Sequence, residues 1–291
     1  MTVLYGFRNK LSAFLTMALI ILAAGVLWHK FNVNDKIAKL ITGNSIEKQN
    51  RAGPTPEMDA KLKSALADAF GEKIARSTSD AVKWYQLAAE QGYAEAQFAL
   101  GLHLLKGDGI TKDDLLAVHW LQTAADKGHI ESQYQLAKHF FADKTVEDKL
   151  AKAVVYFKKA AAQNHAAAQN FLGDCYSNGW GVDKNDAVAC FWFEKSANQG
   201  NASAQYQLGV HYSEGIHFDQ DPAKAFDWFK QAAEQQEPNA QYNLSLCYAR
   251  GNGVPQDTVK ASKWLQKAAN NGHEGAISDI MCATKQKSAG S

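Results

Sequence analysis

The stretch AQNFLGDCYSNGWGVDKNDAVACFWFEKSANQGNAS, residues 168–203, decides the architecture, because its pattern returns at a fixed step of thirty-six residues. Trp84, Trp120, Tyr156, Trp192, Trp228 and Trp264 keep that step without insertion or deletion, and so do Ala89, Ala125, Ala161, Ala197, Ala233 and Ala269. Ala60, Ala96, Ala168, Ala204, Ala240 and Ala276 follow it too. A stack of like supersecondary units repeats side chains in this way; a single catalytic domain has no physical reason to do so. With the first Ala of each unit as position 0, six units run over 60–95, 96–131, 132–167, 168–203, 204–239 and 240–275.

Within 168–203, Ala168, Leu172, Gly173 and Tyr176 recur at three- and four-residue spacing, which predicts a helix with one buried face. Gly179 and Gly181 then stop it, since glycine readily takes the left-handed conformation of a helix C-terminus. A second helix is predicted to start from an N-cap at position 17, held by Ser77, Asp113, Asn185, Asp221 and Asp257. Pro222 fits the first helical turn that follows. Ala187, Phe191, Trp192 and Ala197 read as the apolar stripe of that second helix. The third unit has Lys149 at the cap position and no glycine pair, so Asp148 is expected to cap one residue earlier. Ala276 and Ile280 open a seventh first-helix over 276–291, read as a C-terminal cap and tail. One helix pair cannot bury its stripe alone, so the fold class is an all-α solenoid stabilised by neighbouring units.

The N-terminus differs in kind. After a short tail, 1–10, Leu11 to Trp28 carries no charge over eighteen residues. As a helix this spans roughly 27 Å, close to a ~30 Å hydrocarbon core. Segment 11–29 is therefore expected to be a transmembrane anchor, with Trp28 at the interface. The rival is a cleaved signal peptide ending near Ala23-Ala24-Gly25, although Val26-Leu27-Trp28 continues the apolar run past it. Residues 30–59, ending Gly53-Pro54-Thr55-Pro56, read as a tether. The Lys and Arg balance across the span is nearly even, and the short leading tail favours N-terminus in with the repeats exported. A single-pass inner-membrane protein with periplasmic repeats in a bacterium is the expectation; a cytoplasmic-facing array stays open.

Net charge is +1 with acids and bases interspersed, so the chain shows no electrostatic footprint for nucleic acid. HExxH, GxSxG and P-loop motifs are missing, and the GxG pairs end helices instead of following strands. No enzyme activity and no cofactor are expected. His103, His139, Cys175, His211 and Cys247 share position 7, which invites a metal reading. Equivalent helices lie ~10 Å apart, whereas zinc needs its ligands at ~2.0–2.3 Å, so packing is the preferred reading and no metal site is assigned. Cys175 and Cys190 are nearly mirror-related about the turn of their hairpin. A disulfide between them and a pair of buried thiols both stay open. Trp180 stands between two glycines in a turn, where it either folds back on its hairpin or anchors a partner.

AQYQLGVHYSEG (204–215), AQYNLSLCYARGNGVPQD (240–257) and the following KWLQKAANNG resemble Sel-one-like repeats, relatives of the tetratricopeptide repeat. The resemblance covers about three quarters of the chain; Ser64 and Ser245 depart locally from the recurring Leu and small residue. It implies a right-handed superhelix of antiparallel helix pairs and a scaffold or adaptor function toward other proteins, here of a membrane or envelope complex. By the tetratricopeptide correspondence, positions 2, 6 and 9 line the concave surface. That makes Phe98, Tyr134, Tyr206 and Tyr242, beside Leu102, Lys138, Asp174, Val210 and Leu246, a candidate protein-binding stripe. Aromatic anchors suit such interfaces, while inter-repeat packing explains the same residues. Alternatives are a structural subunit of an envelope complex or, as in some cysteine-rich relatives, a cell-wall-ligand binder or hydrolytic enzyme, whose regular Cys pairs are absent here.

Overall fold

The computed structural model describes residues 78–142 and 146–289. Among these residues the chain is all helix and turn, with twelve helices in sequence. They are α1 (Thr78–Glu90), α2 (Ala94–Lys106), α3 (Asp114–Asp126), α4 (Ile130–Phe141), α5 (Glu147–Ala162) and α6 (Ala166–Asn178). Then come α7 (Asp186–Ala197), α8 (Ala202–Glu214), α9 (Pro222–Glu234), α10 (Pro238–Arg250), α11 (Thr258–Asn270) and α12 (Glu274–Ala289). Each helix packs mainly on the one before and the one after it, as a solenoid requires. The expected anchor at 11–29, the tether, Ser64 and the Ser77 cap lie outside the described residues. No described helix is long and apolar enough to cross a membrane.

The predicted caps account for the helix starts. Asp113, Asn185, Asp221 and Asp257 accept the backbone N–H three residues on, at 2.9, 3.1, 3.0 and 2.9 Å. The third unit differs from expectation: α5 begins at Glu147, its N-cap Val146 offers no side-chain acceptor, and Asp148 lies inside the first turn. There Glu147 and Asp148 face the positive end of the helix dipole, which replaces a side-chain cap as the favourable term. Gly179 ends α6 at φ 74°, and Gly181, at φ 66°, lets the turn lie on the preceding unit. A β-carbon at Gly181 would lie 2.5 Å from the Leu150 backbone.

Position 4 of the first helices is a file of fully buried leucines, Leu100, Leu136, Leu172, Leu208 and Leu244. Facing them from the second helices are Leu121, Phe157, Phe193 and Phe229 at position 25, all 0–3 % exposed. Position 5 is small because these rings occupy its place: a β-carbon at Gly173 would lie 2.5 Å from Phe193 Cε1. The second-helix stripe is shifted from the expected one. In α7 the buried residues are Ala189, Cys190, Phe193, Ser196 and Ala197, whereas Phe191 is 48 % exposed and Ala187 is exposed. Lys195 covers the Phe191 ring, 4.7 Å from its centroid, so the ring is shielded by a lysine stem rather than a helix. The indole column stays in file at the edge of this stripe. Trp192 packs on the cluster around Phe157, Trp228 on that around Phe193, and Trp264 on that around Phe229. Each of these three indoles thus completes the core of the unit before it.

Candidate functional site: the face of the first helices

Positions 2, 3 and 6 of α2, α4, α6, α8 and α10 form one row, tied across units by side chains. Position 2 carries Phe98, Tyr134, Tyr206 and Tyr242, all half-buried. Three of these rings lie against the histidine preceding the next first helix. Phe98 meets His129 at 5.0 Å between centroids, Tyr134 meets His165 at 4.5 Å, and Tyr242 meets His273 at 4.3 Å. Each of these histidines is an N-cap: Nδ1 accepts the N–H of Ser132, Ala168 and Ala276, at 3.1 Å in every case. Asn201 and Glu237 do the same for Ala204 and Ala240. The aromatic row is therefore part of the joint between units and a partly exposed surface at once. Burial, with the Glu131 charge beside Tyr134 and with Asp279 accepting from the Tyr242 hydroxyl, holds both phenols above their usual pKa. They remain O–H donors at neutral pH. Of the position-6 residues, Leu102 and Val210 are half-buried, and Lys138 is exposed with its ammonium 5.5 Å from the Tyr134 centroid.

Behind the row runs a polar spine that a search for apolar periodicity passes over. Position 1 is a buried glutamine in five successive units: Gln97, Gln133, Gln169, Gln205 and Gln241. Each donates Nε2 to the carbonyl of Ala89, Ala125, Ala161, Ala197 or Ala233, at 3.0–3.3 Å, as a second donor beside the backbone N–H that already reaches this last-turn carbonyl of the preceding helix. In four units the glutamine oxygen accepts from the residue thirty positions on, Gln163, Gln199, Gln235 or Asn271, at 2.6–2.9 Å. The exception is Gln97. Its counterpart Lys127 donates instead to the Gly92 carbonyl at 2.6 Å, and Gln97 Oε1 is buried without a partner. Lys127→Gln is expected to supply the missing donor and raise stability by about 1 kcal/mol, read as a higher denaturant midpoint at unchanged slope.

The position-7 side chains turn to separate partners. His103 Nδ1 lies 2.8 Å from the Asp108 carbonyl, and His211 Nδ1 lies 3.0 Å from Cys190 Sγ. Among the described residues no three His, Cys, Asp or Glu side chains are grouped to hold a metal ion. The Cys175–Cys190 disulfide is not formed; both remain buried thiols, because Cys190 turns across the unit boundary to His211 in α8. Burial, aided by Glu194 and Asp186, pushes the Cys190 thiol up to about 12, so it stays protonated.

Residues 64–93, 94–129, 130–165, 166–201, 202–237 and 238–273 each match the Sel1 repeat profile. The chain belongs to the Sel1 repeat family. The solved structure of c5321, a protective antigen of uropathogenic Escherichia coli with an SLR fold, is 30 % identical with a TM-score of 0.70. That match covers 79 % of this chain and 49 % of c5321, so this chain spans about half the length of that relative. A Sel1 repeat protein from Oxalobacter formigenes is 28 % identical with a TM-score of 0.68, over 74 % of this chain and 84 % of that one. No curated protein matches.

Two features of this Sel1 array depart from its own pattern and explain each other. Position 9 is Phe141 in the third repeat, where the others have Leu105, Ser177, Ser213 and Ala249. Trp180, in the turn of the fourth repeat, packs edge-on against that ring at 5.4 Å and joins the Phe157 cluster. Trp180 thus folds back, but onto the preceding repeat instead of its own hairpin, and not outward as a partner anchor. Trp180→Ala is expected to lower stability by about 2 kcal/mol through lost apolar burial, seen as a drop in Tm. Acid should also loosen the joints. Burial holds His129 and His211 below the ordinary histidine pKa, against the opposing pull of nearby carboxylates. The folded state therefore keeps them neutral. Their contribution is complete above the unfolded value of about 6.5 and is lost as pH falls through the lower folded values. His129→Asn keeps a capping acceptor, as Asn201 does, and should blunt part of the acid loss in a pH series of denaturation midpoints.

Proposed function

We propose that this Sel1 repeat chain is a membrane-tethered adaptor that holds a protein partner along the row of its first helices. Sel1 repeat proteins mediate protein–protein interactions, and the row offers half-exposed rings on a backbone made rigid by caps and buried glutamines. Rings fixed in this way lose little entropy on binding, the property of an interface anchor. That juxtaposition of Phe98, Tyr134, Tyr206 and Tyr242 carries the reading. The uncharged segment 11–29 supports the tether, with the repeats in the periplasm of a bacterium as part of an envelope complex. The chain works by binding, without catalysis of its own. Photo-crosslinking residues placed at Tyr134, Tyr206 and Tyr242 in the native cell should yield discrete protein adducts. Matched positions on the outer surface of the second helices, such as Val259 and Lys263, should not. Adducts from the second helices alone would replace the adaptor by a structural subunit that uses its other face. A C-terminal reporter fusion fixes the side of the membrane.

A further inference from the structure

The first helices α4, α6, α8, α10 and α12 start from side-chain caps of two kinds. His129, His165 and His273 cap α4, α6 and α12 through Nδ1. Asn201 and Glu237 cap α8 and α10 through side-chain oxygens. A backbone N–H only donates, so each capping Nδ1 carries a lone pair and the proton of the neutral ring sits on Nε2. A second proton makes both ring nitrogens donors, and an imidazolium cannot hold this cap. It also sets a positive charge at the positive end of the helix dipole. Asn201 has no proton to gain. Acid therefore removes the cap at three joints and leaves the one at α8.

The same three imidazoles back the aromatic row, lying 5.0 Å from Phe98, 4.5 Å from Tyr134 and 4.3 Å from Tyr242 between centroids. A ring that leaves its cap leaves the aromatic side chain too. The charges facing the caps are few. Burial opposes the charged form of His129, while the carboxylates of Glu95 and Glu131 favour it. His165 Nε2 donates to Glu131 Oε2 at 3.2 Å, so that ring is held through both nitrogens. His273 is followed by Glu274 and lies on Tyr242, whose hydroxyl donates to Asp279. Histidine is the side chain whose charge ordinarily changes between about pH 5 and pH 8. We propose that the histidine caps make the row a proton-released interface, holding the partner at neutral pH and freeing it in mild acid as α4, α6 and α12 lose their caps. This rests on the adaptor reading and adds the regulation of the same row.

Peptide-resolved hydrogen exchange of the full-length chain in mild detergent, corrected for the intrinsic rate at each pH, reads the caps directly. From neutral pH to about pH 5, the first turns of α4, α6 and α12 should lose protection roughly 5-fold, the scale of one lost cap. The first turn of α8, capped by Asn201, should keep its protection. The combined variant His129→Asn, His165→Asn and His273→Asn retains an acceptor at each cap and should erase the difference. Release is read by photo-crosslinking from Tyr206, which has no capping histidine behind it, in membranes of the native cell. Adducts should fall roughly 5-fold or more in acid, since the competent state is depleted, return at neutral pH, and persist in acid in the triple variant. Equal protection changes at all four helix starts would overturn the proposal, as would neutral-pH adducts that survive acid in the parent chain. The second result leaves the adaptor reading standing. A row without adducts at either pH would sink that reading and the release with it.

Discussion

Phe193→Ala is expected to destabilise the array by about 3–5 kcal/mol, the range for emptying a buried aromatic site. Phe193 is 0 % exposed and fills the space left by Gly173, whose missing β-carbon would lie 2.5 Å from the ring. The ring also meets His211 of the next repeat at 5.6 Å, and the cluster it belongs to receives Trp228. The loss is therefore shared by the joint between the fourth and fifth repeats. Because each repeat is stabilised by its neighbours, the variant should unfold in two resolved steps in urea, with a lower slope for each. Introducing Gly173→Ala beside it should recover part of the loss, as Ala137 is accommodated opposite Phe157 in the third repeat. A single transition with an unchanged slope would mean that this joint does not couple the two halves.

Gln169→Leu should cost about 2 kcal/mol, because it removes two hydrogen bonds that tie the turn between repeats at once. The Ala161 carbonyl would keep the Asn164 N–H at 3.0 Å but lose its second donor at 3.1 Å, and the Gln199 amide would lose its acceptor at 2.6 Å. Leucine has nearly the volume of glutamine, so packing alone predicts a small change. Gln97→Leu is the internal control. Its Oε1 already lacks a partner, so the same substitution there should cost less, by about 1 kcal/mol. Equal losses at the two positions would assign the effect to shape and not to the polar spine.

The strict step of thirty-six residues made the helix pairs legible, because a solenoid places equivalent side chains in equivalent surroundings. Four caps, Asp113, Asn185, Asp221 and Asp257, were readable for the same reason: capping depends on a local three-residue reach. The second-helix stripe was misplaced, since Phe191 is apolar by composition yet is covered by Lys195, and no single-helix pattern reveals that shield. The buried glutamines and the capping histidines were visible as recurrences at positions 1 and 33. Their roles were not: each glutamine bonds to a carbonyl eight residues back across the turn between repeats, and histidine is not among the residues that usually mark an N-cap. Cys190 illustrates the same limit. Hairpin symmetry pairs it with Cys175, whereas its thiol turns to His211 in the next repeat. The tyrosine stripe was found from sequence, but its double use as joint and surface emerges only with His165 and His273 in place.

The central claim is that a Sel1 unit of this chain is incomplete alone and is finished by the indole, turn and capping side chain of its neighbour. Urea denaturation of arrays ending after 275, 239 and 203, beside the isolated 168–203 peptide, tests it most directly. The account predicts an unfolded peptide, then stability and slope rising with each unit added. A folded 168–203 peptide, or arrays whose stability ignores their length, would contradict it.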